Sequence, residues 1–167
     1  MRKNSKNRIL LGLSILLVTI CTGCHGSVEK GAFVIPEEFD ATREYEITFW
    51  AKNDTNKTQT DIYNKAIEDF QKIYPNITVN LRLYTDYGRI YNDVITNIAT
   101  NTTPNVCITY PDHIATYLSG HNCVVDLDEL LDDKKYGMGG SEILFEAPNR
   151  EEIIPEFLDE CFLEGHY

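Results

Sequence analysis

The chain has 167 residues, a formal net charge of -11 and a sequence pI near 4.7. This length suits one domain with its own core and is short for two domains plus an export signal. Four of the 15 basic side chains precede Cys24, which leaves 11 basic against 26 acidic side chains in the remainder. Because phosphate contacts need clustered Lys and Arg, we expect no nucleic-acid partner.

The N-terminus is typical of an export signal. MRKNSKNR is a basic segment, and the apolar run ILLGLSILLVTI after it is short for a membrane span. Thr22, Gly23 and Cys24 follow, and they resemble the lipobox of bacterial lipoproteins, although Cys21 stands where Leu is usual. The resemblance implies cleavage before Cys24, lipidation of its thiol and attachment to the extracellular face of the bacterial cell membrane. The alternatives are an ordinary secretory signal and an uncleaved signal anchor.

These features divide the chain into three parts. We predict a lipoprotein signal peptide over 1–23, a tether over 24–43 and a folded domain over 44–167. The tether is interrupted by Gly and Pro and shows no steady hydrophobic period.

The cysteines carry no metal motif. Cys21 and Cys24 form a CxxC pair, but a second pair at metal-ligand spacing is missing, so we predict no metal site. A disulfide between Cys107 and Cys123 is possible in an exported protein. The alternative is that these two and Cys161 are small buried hydrophobic residues.

The segment EYEITFWAKND (44–54) alternates apolar and polar side chains, which predicts a strand with one buried face. Trp50 stands where this strand is expected to end, and a polar loop follows. Ligands of open α/β sheets bind beyond the carboxyl ends of strands, so this loop is a candidate ligand site. The buried face is predicted to hold Tyr45, Ile47 and Phe49, and the candidate ligand residues are Trp50, Asn53 and Asp54.

Helices and strands alternate after this loop. The hydrophobic spacing predicts a helix over 58–74, a strand over 77–84 and a second helix from Arg89 to about Thr100. The strand, helix, strand order implies a parallel sheet. A nearly continuous apolar run over 106–109 is typical of a central strand covered on both faces.

The end of that third strand is the second candidate ligand site. Tyr110 and Asp112 follow it, and they are expected at the same sheet edge as the loop after Trp50. His113 and His121 have no partner at catalytic or metal-binding spacing, so we predict solvated histidines.

The last third of the chain is less regular. We predict a short helix over 114–118, an acidic helical turn in VVDLDELLDD and an amphipathic helix from Glu151 to about Leu163. The acidic run lacks the regular spacing and turn Gly of a calcium loop, so we predict a solvated acidic face. Its members are Asp126, Asp128, Glu129, Asp132 and Asp133.

Three segments together carry a family resemblance: FWAKND, FQKIYPNITV and TPNVCITYPDHIATYLSGHNCVVDLDELL. In this order, over about 44–163, they resemble the first lobe of family 1 extracellular solute-binding proteins, the substrate-capturing components of ABC importers. The resemblance implies an α/β, periplasmic-binding-protein-like lobe with a mostly parallel open sheet flanked by helices. In the family, two such lobes close on a ligand, often a sugar.

The resemblance also implies site residues and partners. Trp50, Asn53 and Asp54 match the loop after the family's first strand, and Tyr110 and Asp112 match the loop after the third. Aromatic rings cover the apolar faces of sugars, while carboxylates and amides bond to hydroxyls. The implied partners are a carbohydrate and an importer permease, for a monomer without a cofactor or catalytic residues.

The chain departs from the family at its C-terminus. Family members continue past the helix expected over 151–163 into further strands and a second lobe, whereas this chain stops at Tyr167. We therefore expect an incomplete, truncated N-terminal lobe. The alternatives are a surface lipoprotein without a transport role, a non-functional fragment and an exported enzyme acting on glycans. The last has no nucleophile elbow, paired carboxylates or phosphate loop to support it.

Overall fold

A computed structural model of the chain describes residues 33–53, 57–146, 149–163 and 165–167. Within these ranges the chain has an α/β fold, with an open sheet of three parallel strands in the order β2-β1-β3 flanked by helices, as predicted. In chain order the elements are β1 (Tyr45–Lys52), α1 (Lys57–Ile73), β2 (Ile77–Tyr84), α2 (Tyr87–Thr100), β3 (Val106–Cys107), α3 (Pro111–Tyr117), α4 (Asp128–Leu131), a 3₁₀ turn (Arg150–Glu152) and α5 (Pro155–Glu160).

Several predictions concern the N-terminal part of the chain. The signal peptide and Cys24 lie outside the described residues, as does Asp54. The described part of the predicted tether, 33–43, contains no helix or strand. Phe39 in this segment stacks on Tyr45 with ring centroids 5.5 Å apart, so the end of the segment lies against the domain. None of the helices in the described ranges has the length and apolar character needed to cross a membrane.

The sheet is built around β1. This strand pairs in parallel with β2 over its whole length, from Tyr45 opposite Ile77 to Lys52 opposite Tyr84. The predicted bounds of β2 are confirmed, but β1 continues past Trp50, so Trp50 does not stand at the strand end.

The prediction of a central third strand is wrong. In the described sheet β3 pairs only with β1, and Val106 is 51% exposed. The strand is short because polar and proline residues limit it. The Asn105 side chain accepts the Thr48 N–H at 2.8 Å before the strand begins, and Pro111 starts α3 soon after it.

The prediction that β1 has one buried face is also wrong. Tyr45, Ile47 and Phe49 are only half-buried, whereas Trp50 is 6% exposed. The reason is that α2 and α3 supply apolar side chains to the face that carries Trp50. The alternation of residues along β1 cannot predict which helices pack on each face. This core consists of Trp50, Tyr84, Ile90, Val94 and Tyr117.

On the α1 side the packing is open. The predicted helix is confirmed, but it contains no fully buried residue, and Ile62 is 61% exposed. A groove of about 460 Å³ separates its apolar stripe from the sheet. Its apolar walls include Ile47, Phe49, Ile67, Phe70, Val79 and Phe145.

The predicted C-terminal helix is divided. Residues 150–152 form a 3₁₀ turn, and α5 begins at Pro155. Proline has no N–H to continue a preceding helix and is favoured at the first position of a new one, which explains the break. Phe157 on α5 is 63% exposed, so the apolar face of this segment is not buried as an amphipathic helix would be.

Candidate functional site

The carboxyl ends of the strands meet at one edge, as the parallel order requires. Asn53 follows β1, Tyr87 begins α2 soon after β2, and Tyr110 immediately precedes α3 after β3. The structure therefore places Asn53 and Tyr110, two of the predicted ligand residues, in loops after neighbouring strands.

Tyr110 belongs to a row of rings along this edge. Its ring lies 4.3 Å from that of Tyr87, at an interplanar angle of 40°, and 5.5 Å from that of His113. His113 in turn lies 4.4 Å from Tyr91, centroid to centroid. We call Tyr87, Tyr91, Tyr110 and His113 the edge aromatic row.

The members of the row differ in how much of each side chain is exposed to solvent. Tyr110 is 48% exposed, whereas Tyr87, Tyr91 and His113 are half-buried. Tyr110 thus offers ring surface to solvent while its neighbours hold it in place. Lys52 Nζ lies 5.3 Å from the Tyr87 ring centroid. The cation–π attraction between them stabilises the ring in this position.

The sequence patterns did not predict Tyr87 or Tyr91 as ligand residues, and they predicted a solvated histidine at His113. The last prediction is wrong, because His113 lies in α3 and contacts two rings of the row. Tyr87 could have been found by applying the strand-end rule to β2, since it begins the helix after that strand.

Asn53 anchors the loop after β1. Its backbone N–H donates to the Tyr84 carbonyl at 2.8 Å, and its Nδ2 donates to Thr60 Oγ1 at 2.8 Å. Its Oδ1 is buried and accepts no hydrogen bond from the residues that the structure describes. The side chain therefore ties the sheet edge to α1.

Trp50 lies within the core and not in a loop. The Arg82 guanidinium carbon lies 4.9 Å from its ring centroid, and the Tyr84 ring lies 5.4 Å away. With 6% of its surface exposed, the ring offers a ligand no open face in this arrangement. Stacking of Trp50 on a ligand stays a prediction and requires Arg82 to move aside.

Asp112 is exposed in the first turn of α3. A carboxylate at this position is favoured by the helix dipole, which is sufficient to account for an acid there. Its side chain is open to solvent and lies two residues after Tyr110 in the sequence.

A part-buried hydrogen bond joins α2 to β2 behind the edge. The Tyr84 hydroxyl donates to Asp93 Oδ2 at 2.9 Å, and Arg82 donates to the same oxygen at 2.9 Å. Burial, followed by this bond to Asp93, raises the pKa of Tyr84 far above its usual range. The hydroxyl therefore remains a donor at neutral pH.

The three described cysteines are free thiols, so the possible disulfide between Cys107 and Cys123 is not formed. Both are half-buried, and burial raises the pKa of each thiol. Cys161 is exposed, which contradicts its interpretation as a buried hydrophobic residue.

A second polar cluster lies at the C-terminal end of the chain. His166 Nδ1 is 2.9 Å from Asp126 Oδ2 and 2.7 Å from Asp128 Oδ2. The prediction of a solvated acidic face is wrong for these two aspartates, which are half-buried and paired. Sequence reasoning missed the cluster because His166 is distant from both aspartates along the chain.

Comparison of the chain with protein-family models, with curated proteins and with solved structures found no match in any of the three.

Proposed function

We propose that this chain is the N-terminal lobe of a lipid-anchored extracellular solute-binding component of an ABC importer, with a sugar or oligosaccharide as ligand. The observation that carries the proposal is the edge aromatic row at the carboxyl ends of parallel strands. An exposed aromatic ring can cover the apolar face of a sugar.

Each residue has a distinct proposed role. Tyr110 stacks on the apolar face of a sugar ring, because it is the most exposed member of the row. The Tyr87 ring packs against the Tyr110 ring and holds it in position. Asp54 and Asp112 accept hydrogen bonds from sugar hydroxyls, since carboxylates are strong acceptors. Asn53, whose Oδ1 is buried and whose Nδ2 donates to Thr60, orients the loop after β1.

The remaining parts of the proposal follow from the sequence. Lipidation of Cys24 holds the protein on the extracellular face of the cell membrane. There the protein, as a monomer, contacts the importer permease. A second lobe supplies the other half of the ligand site, so one lobe alone contributes only part of the affinity.

A binding assay tests the ligand class. The full chain in detergent micelles is dialysed against a panel of mono- and oligosaccharides, and the retained sugar is analysed by chromatography. We expect weak retention of one sugar class in chemically unchanged form. Cleavage of the sugar would indicate an enzyme instead. If no sugar is retained and none raises the melting temperature, a surface lipoprotein without a transport role is favoured.

The size of the native protein tests whether a second lobe is part of it. An antibody raised against residues 57–74 is used to probe membranes of native cells. A band much heavier than 19.1 kDa is expected for a complete two-lobed component. A band at or just below that mass would overturn the transport function and leave a lipid-anchored fragment.

A further inference from the structure

Three potential metal ligands from distant parts of the chain meet at its C-terminal end. They are Asp126, Asp128 at the start of α4, and His166, and one ligand atom of each lies within 4.8 Å of the others. We propose that they form a binding site for a divalent transition-metal cation of the Zn²⁺ type. None of the three ligands is proposed to bind sugar, although Tyr110 also lines the cavity beside them, so metal binding is tested separately from sugar binding.

Backbone hydrogen bonds orient both carboxylates. The Asp128 N–H donates to Asp126 Oδ1 at 3.0 Å, and the Tyr167 N–H donates to Asp128 Oδ1 at 2.9 Å. Each carboxylate is thus held through one oxygen and directs the other, Oδ2, at His166 Nδ1. Hydrogen bonds that fix the orientation of ligands are typical of protein metal sites.

His166 is held just as firmly. Leu163 and His166 exchange backbone hydrogen bonds of 2.8 and 3.0 Å in a tight turn. Gly165 has φ +93°, a left-handed value that glycine adopts without steric strain. The Leu127 N–H donates to the Tyr167 carbonyl at 2.9 Å and joins this turn to the aspartate loop. Backbone hydrogen bonds at His166 and Tyr167 therefore hold the imidazole next to the two aspartates.

The spacing of the ligand atoms is close to that of a metal site. His166 Nδ1 lies 2.7 and 2.9 Å from the two aspartate oxygens. Tetrahedral Zn²⁺ with bonds of about 2.0–2.1 Å separates its ligands by about 3.3 Å. Small side-chain rotations are sufficient to lengthen the two distances from His166 Nδ1 to the aspartate oxygens to this value. The three ligands leave one coordination position for water or another molecule.

The donor set favours one class of cation. Two carboxylates neutralise a dication, and an imidazole nitrogen suits Zn²⁺, Co²⁺ and Ni²⁺. Ca²⁺ requires six to eight oxygen ligands, and Mg²⁺ prefers oxygen and water, so neither fits this set.

A cavity adjoins the cluster and gives the open position a possible use. Asp126 and His166 line this cavity of about 380 Å³, whose other walls are mainly apolar. A concave apolar pocket with a few convergent polar groups is the usual form of a small-molecule site. A cation held by Asp126 and His166 lies at its wall. The apolar walls include Pro111, Ile114, Leu118, Val124 and Leu163.

Histidine footprinting of the unaltered full chain in detergent micelles tests the site without risk to folding. The His166 side chain is 36% exposed, so diethyl pyrocarbonate can reach it, and His121 is an exposed internal control. We expect stoichiometric Zn²⁺ to slow modification of His166 at least tenfold and to leave His121 unchanged. Ca²⁺ is expected to protect neither. Equal modification of His166 with and without Zn²⁺ would overturn the proposal.

Variants then identify the ligands. We expect His166→Ala and Asp128→Asn each to raise the Kd for Zn²⁺, measured by calorimetry, at least tenfold, since even outer-shell changes cost about 10–100-fold. His121→Ala is the matched control and should bind as the parent chain does. Circular dichroism verifies that each variant folds. Unchanged affinity in folded His166→Ala would show that Zn²⁺ binds elsewhere and would refute the assignment.

Discussion

The rings of Tyr87 and Tyr110 lie 4.3 Å apart, although each follows a different strand of the sheet. The contact joins the loop after β2 to the loop after β3 across the edge where β1 also ends. It makes one surface from segments that are separate in the sequence, and the proposed ligand site depends on that surface.

Replacing Tyr110 with Ala should weaken sugar binding. An aromatic contact is worth about 0.5–1.5 kcal/mol, which corresponds to a roughly 2–12-fold rise in Kd. Because Tyr110 is 48% exposed, we expect little change in stability. Tyr110→Phe should retain most of the affinity.

Phe157→Ala is the control for this experiment, since Phe157 is an exposed aromatic on α5. Equilibrium dialysis with the sugar retained by the parent chain measures both variants. Equal losses at the two positions would mean that Tyr110 has no specific contact with the ligand.

Ile90→Ala should destabilise the domain strongly. Ile90 is 1% exposed in the core, and such truncations cost about 2–5 kcal/mol. The single tryptophan, Trp50, belongs to the same core, so its fluorescence during urea unfolding reports the loss directly.

Ile62→Ala provides a matched control in α1. Ile62 is 61% exposed, and we expect a change within about 0.5 kcal/mol. If both substitutions shifted the urea midpoint equally, the core would not be centred on α2 and Trp50.

Tyr84 should make stability depend on alkaline pH. Its pKa is raised in the folded state by burial and by the bond to Asp93, so the folded chain holds this proton more tightly than the unfolded chain. The stabilisation is complete below the unfolded pKa of about 10 and is lost as the pH rises towards the folded value.

We therefore compare Tyr84→Phe with the parent chain by urea unfolding between about pH 8 and 11. The variant should be less stable at pH 8 by about 1 kcal/mol through the lost hydrogen bond. The difference should shrink above about pH 10. A constant difference over the whole range would contradict the raised pKa.

The cysteines should differ in reactivity. Burial raises the pKa of Cys107 and Cys123 and lowers the fraction of reactive thiolate, whereas Cys161 is exposed. We expect N-ethylmaleimide to label Cys161 first, as followed by peptide mass mapping. Labelling of Cys107 at the rate of Cys161 would show that the core around β3 opens readily.

Cys24→Ala should abolish lipid labelling of the protein. If Cys24 carries the lipid, the variant loses both acylation and cleavage at that site and keeps the apolar segment 9–20 as an uncleaved signal. Labelling cells with radioactive palmitate measures the loss of the lipid, and the mass of the protein on a gel measures the loss of cleavage. Cys21→Ala is the control, and it should remain labelled; loss of label in this variant alone would move the anchor to Cys21.

Local patterns in the sequence were sufficient for some elements and not for others. The bounds of β2 and the extent of α1 agree with prediction, because each has a clean period between clear breaks. The helix α2 begins at Tyr87 and not at Arg89, since Asp86 caps it through the Arg89 N–H. The predictions of a central third strand and of one continuous last helix were wrong, because an apolar run does not indicate which elements pack against it.

The sequence by itself determined the α/β alternation, the parallel order and the polar loops that follow the strands. Those features arise from hydrophobic period and chain connectivity, which are local. Only the tertiary structure placed Trp50 in the core, Tyr87 against Tyr110, and His166 between Asp126 and Asp128. Each of these contacts joins side chains from separate elements, and their geometry depends on how the helices pack on the sheet.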